Sequence, residues 1–130
     1  MTLKEIYKNA LALLAESIAP GDNDDYEERA PYILATLCSQ LKGIDAVARA
    51  MLGEQAGEDF NEIFLPLTDA FPLLARFAAP AALYLASMLI LDDDQDMADK
   101  LFERYSDSIS TACDSVSAVK EKTSNKYFKD

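Results

Sequence analysis

The sequence predicts an all-α fold, with four main helices in a bundle or orthogonal array and room for one short extended segment in the middle loop. Three observations carry this reading. Apolar residues recur at three- and four-residue spacing in separate stretches of the chain. Caps and breakers fall between those stretches. One short run reads as extended, but no second strand is evident to pair with it.

Helix one opens on Thr2 and Glu5, a capping box in which hydroxyl and carboxylate each satisfy an orphan N–H. Leu3, Ile6, Tyr7, Ala10, Leu11, Leu14 and Ile18 form its apolar face, and Pro20-Gly21 is the expected stop. Helix two follows an acidic run, 22–28, which holds five acids and no base before Arg29. Asp24 or Asp25 is the expected cap, and acids in the first turn suit the helix dipole. Tyr26, Ala30, Ile33, Leu34, Leu37, Cys38 and Leu41 keep register across Pro31, so we expect a kink there rather than a start. Gly43 is the expected residue after its C-terminus.

Residues 44–70 carry the weakest pattern. The stretch 44–52 reads as a short helix capped by Asp45, and 60–65 reads as a strand or extended arm ended by Pro66. Helix three is expected to begin at Phe71-Pro72, with a kink or break at Pro80. Residues 81–91 are apolar on nearly every side, which marks the central helix of the core. The acidic turn 92–96 leads into helix four, whose face Met97, Leu101, Tyr105, Ile109, Ala112, Val116 and Val119 carries it to about Val119. Residues 1–117 thus read as a single helical domain, and 118–130 as a basic tail that frays or docks on a partner.

Composition excludes much chemistry. The chain of 130 residues has no His, so Ser-His-Asp and Cys-His systems, His-ligated metals and neutral-pH switching are absent. Twelve bases against 23 acids give a net charge of −11, the wrong sign for gripping nucleic acid through phosphates. The tail 118–130 has four Lys and two acids, leaving −13 on the rest. The longest uncharged run, 77–91, has 15 residues, short of the roughly 20 that a membrane span needs. No signal-peptide pattern stands at the N-terminus. Cys38 and Cys113 form no CxxC and read as small buried hydrophobes, with their pairing left open.

The acidic turn has the pattern nearest to a chemical motif. Asp92, Asp93 and Asp96 match the DDxxD of prenyl-transferring enzymes, which also need a longer bundle, a second metal motif and bases for the diphosphate. As a calcium loop, Asp92, Asp94, Asp96 and Glu103 take positions one, three, five and twelve, but Met97 stands where the loop needs Gly. Helical nucleotide pyrophosphatases place ExxE-type pairs on facing helices, and helix two has none. The plain alternative is a solvated turn whose acids favour the N-terminus of helix four. No P-loop, GxGxxG or GxSxG occurs. The expectation is a protein without catalysis or cofactor.

Taken in order, several segments resemble the small head-to-tail connector (adaptor) proteins of tailed bacteriophages and prophages. Met1-Thr-Leu-Lys-Glu-Ile-Tyr-Lys-Asn-Ala-Leu-Ala-Leu-Leu looks like their first helix, and Tyr26-Glu-Glu-Arg-Ala-Pro-Tyr-Ile-Leu like the start of the second. Phe71-Pro-Leu-Leu and Ala81-Ala-Leu-Tyr-Leu-Ala-Ser-Met-Leu-Ile-Leu-Asp-Asp-Asp look like the third with its acidic turn, and Leu101-Phe-Glu-Arg-Tyr-Ser-Asp-Ser-Ile like the fourth. The likeness spans most of 1–117 and lies in helix order, spacing and texture rather than in a diagnostic motif.

The resemblance implies a homo-oligomeric ring beneath the portal that continues the DNA channel and docks the tail. It implies the bacterial cytoplasm during assembly and then the virion. Residues 54–68 and 118–130 would reach neighbours, with Phe60, Ile63, Phe64, Leu65, Tyr127 and Phe128 as interface residues. Net acidity fits a channel wall that must not hold DNA. Two alternatives stand beside it: a small bacterial helical interaction or regulatory module without catalysis, and a divalent-metal-binding helical protein.

Overall fold

The computed structural model describes residues 1–16, 19 and 21–128, with side chains up to residue 114. It is all-α: α1 (Leu3–Leu13), α2 (Asp24–Met51), a single 3-10 turn (Ala75–Phe77), α3 (Ala78–Ile90) and α4 (Gln95–Phe128).

The hydroxyl half of the expected capping box forms at the start of α1. Thr2 Oγ1 accepts the Glu5 N–H at 3.3 Å. The other orphan donors are met from the middle loop: Leu3 N–H donates to Asp69 O and Lys4 N–H to Leu67 O, each at 2.9 Å. Phe71 N–H returns a bond to Met1 O, so Thr2 and Ala70 form an antiparallel bridge. Extended pairing thus occurs at 70 rather than in 60–65, where no strand forms among the described residues. α1 stops at Leu13, before Pro20-Gly21. Ala15 N–H donates to Ala12 O and Glu16 N–H to Leu11 O, closing the helix with Ala15 in the left-handed region at φ 56°. Ile18 lies outside the described residues.

α2 is one helix of 28 residues where two were expected. It passes through Pro31 with its apolar face in register and continues through Gly43, which is helical rather than terminal. The helix ends at Gly53 instead. With φ 75°, this glycine donates to Ala50 O, and Glu54 N–H donates to Arg49 O at 2.8 Å. Asn23 holds the N-cap position; Asp24 and Asp25 lie inside the first turn. The segment 44–52 stays helical because its apolar and small residues continue the buried stripe, with Ala48 in the core.

Helix three begins later than its sequence suggested. Residues 71–74 are irregular, and α3 starts at Ala78. Pro80 therefore falls in the first turn, where its missing N–H costs no intrahelical bond. α3 is the central element: Ala81, Ala82, Leu85, Ala86 and Leu89 are buried, and α1, α2 and α4 all pack on it. Phe77, Leu3, Leu34 and Leu37 fill the space around it. Ser87 is buried among them and donates to Ala98 O of α4 at 2.9 Å, which satisfies its hydroxyl without water. α4 is helical to Phe128, beyond the expected end near Val119.

Candidate functional site

The middle loop between α2 and α3 is long, and a buried ion pair holds it down. Asp45 Oδ2 accepts Arg49 Nε at 2.8 Å, one turn along α2. Asp45 Oδ1 accepts the Leu74 N–H at 2.7 Å, and Arg49 donates from its other arm to Pro72 O at 3.1 Å. The pair thus clamps residues 72–74 against α2. Asp45 is a buried charge with its oxygens filled, the arrangement that offsets its desolvation. Its sequence position suggested a helix cap for Asp45; Arg49 is its neighbour one turn on, but Leu74 lies too far along the chain for local spacing to reveal.

Above this clamp the loop rises into an apolar surface. Asn61 Oδ1 accepts the N–H groups of Ile63 at 2.9 Å and Phe64 at 3.4 Å, forming a tight turn. Phe64 sets its ring edge-on to Tyr32 of α2, with centroids 5.0 Å apart. Ile63, next to Phe64 in the chain, is 74% exposed, and Tyr32 is exposed too. Phe60 is half-buried under Lys42 Nζ, 5.3 Å from its ring centroid. Lys42 also lies 3.7 Å from Asp59 and 3.8 Å from Glu62.

Leu65 departs from the expected interface set. Its side chain is buried in the core and its N–H donates to Pro31 O at 3.2 Å. It anchors the loop to α2 and has no surface to offer a partner. Tyr32, an aromatic at helical spacing in α2, stands exposed and carries the Phe64 ring. The side chains of Tyr127 and Phe128 lie outside the described residues.

The acidic turn is a structural junction. Asp94 Oδ1 accepts the Met97 N–H at 3.0 Å and so caps α4. Asp93 Oδ2 accepts the Tyr26 hydroxyl at 3.1 Å. Arg29 donates to Leu89 O at 3.1 Å, bringing a cation to the C-terminal carbonyls of α3. Asp92, Asp94, Asp96 and Glu103 are all exposed, and no group of three His, Cys, Asp or Glu able to hold a metal ion forms among the described residues.

Burial and nearby acids move several protons. Burial, then Glu27 and Asp24, pushes the Tyr7 hydroxyl up to about 12. Burial, with the Asp45 carboxylate adding to it, pushes the Cys38 thiol up to about 12. Burial and the bond to Asp93 raise Tyr26. Cys38 and Cys113 are free thiols, the first buried and the second half-buried. No helix of the described residues is long and apolar enough to cross a membrane.

Comparison with protein-family models, curated proteins and solved structures gave no match to this chain.

Proposed function

We propose that the chain is the subunit of a ring, a head-to-tail connector of a tailed bacteriophage or prophage that sits beneath the portal and continues the DNA channel. Its role is structural, with no catalytic step and no cofactor. The observation that carries this reading is the anchored middle loop. A 28-residue helix, a loop fixed at Asp45 and Arg49, and a central apolar helix follow in the order of the resemblance, and the loop tip offers apolar side chains to a neighbour.

The charge supports the same reading. Exposed acids at 22–28 and 92–99 account for ten of the 23 in the chain. An acidic wall repels passing phosphates, whereas each basic contact would hold them. Copies bearing −11 repel one another, so their contact must come from apolar surface and the few bases.

Negative-stain imaging of the purified protein, alone and with a portal ring, tests the proposal. Rings, or a layer added to the portal, are the expected result. A protein that stays monomeric at high concentration and also leaves the portal bare overturns it.

A further inference from the structure

We propose that Ile63 of one copy seats in the groove between α3 and α4 of a second copy, with its neighbour Glu62 meeting Arg76 at the groove's rim. This rests on the ring reading and names the contact that would join adjacent subunits.

The knob is built in advance. Asn61 fixes the turn beneath Ile63, Phe64 rests on Tyr32, and Leu65 is tied to Pro31. Ile63 is thereby held outward with little freedom left to lose on binding. Among the described large hydrophobic residues it presents the greatest fraction of its surface.

The groove has matching chemistry. It has a volume of about 510 Å³ and is lined by Arg76, Ala79, Pro80, Ser108, Thr111 and Ala112. Small side chains on both helices leave room for an aliphatic group. Arg76 is exposed and makes no ion pair among the described residues, although acids outnumber bases by 23 to 12 in the chain. Residues 53–75 carry five acids and no base. An acidic knob and a groove whose charged lining residue is an arginine are complementary, which selects a second copy of this acidic chain as the occupant. Glu62 remains available, because its 3.8 Å approach to Lys42 joins two well-exposed groups. Knob and groove are different surfaces, so the contact can repeat head-to-tail and close into a ring when the rotation allows.

Cysteine pairing tests this directly. Chains carrying Ile63→Cys and chains carrying Ala79→Cys, both with Cys113→Ser, are mixed and oxidised, while Cys38 stays shielded in the core. A covalent dimer that forms in the mixture and exceeds either chain alone is expected. Separately, Arg76→Glu weakens self-association by about tenfold or more, and Glu62→Arg in the same chain restores it. Circular dichroism confirms that each variant is folded. Association that persists unchanged in Arg76→Glu, without the mixed dimer, overturns this contact and leaves the ring reading intact. Absence of both association and mixed dimer overturns the contact too, and the portal experiment then decides the ring.

Discussion

Asp45 Oδ1 accepts the backbone N–H of Leu74 at 2.7 Å, joining the middle of α2 to the chain 29 residues later. The same carboxylate holds Arg49, which reaches Pro72 O. One buried acid therefore sets both the end of the middle loop and the approach to α3. Asp45→Ala leaves the Leu74 N–H and the mostly buried Arg49 without their acceptor. We expect a loss of about 2–3 kcal/mol in urea unfolding, and about 1 kcal/mol for Asp45→Asn, which keeps an acceptor in place. Equal losses for the two would remove the charge from this explanation.

Ala15 occupies a left-handed position, φ 56°, at the end of α1. Glycine reaches that conformation without the Cβ clash that alanine meets. Ala15→Gly should raise stability by about 0.5–1 kcal/mol, read as a higher thermal midpoint. A lower midpoint would show that the Ala15 side chain contributes more than its strain costs.

The Asp94 carboxylate caps α4 through the Met97 N–H. Asp94→Ala should cost about 1 kcal/mol, and Asp94→Asn much less, because asparagine caps equally well. Calorimetric titration with calcium and magnesium should give no binding heat at 92–96. Saturable heat lost in an Asp94→Asn, Asp96→Asn variant would restore the metal reading.

Cys38 and Tyr7 give the stability an alkaline limit. Both are held neutral in the fold, with values raised to about 12 from ordinary values of 9.0 and 10.0. The unfolded chain loses these protons first as pH rises. Stability is therefore unaffected by them below pH 9 and falls between about 9 and 12. Urea midpoints at pH 8 and pH 10.5 should show the decline, and Cys38→Ala should reduce it. At pH 8, Cys113 should react with a thiol reagent quickly, and Cys38 only at the rate of unfolding.

The sequence pattern revealed most of the helices because their signals are local. Thr2 announces α1, and the register across Pro31 carries α2 through its proline. The expected boundaries failed where distant partners decide. Gly43 stays helical because the buried stripe continues to Ala48, and Gly53 with its left-handed φ ends the helix. Phe71-Pro72 looks like a helix start, yet Arg49 takes the Pro72 carbonyl and holds the segment irregular. At the surface, Ile63 stands exposed, whereas Leu65, two residues on and read alike, is drawn into the core with its N–H bonded to Pro31. Alternation in so short a run does not say which side faces the body when the partner is a helix rather than a strand.

As a ring subunit, this chain of 14.3 kDa would work as one of many copies. Light scattering over a concentration series, with and without a portal ring, measures this most directly. The expected mass is a multiple of the single chain, either free or added to the portal. A single-chain mass at every concentration, with no mass gained by the portal, would contradict it.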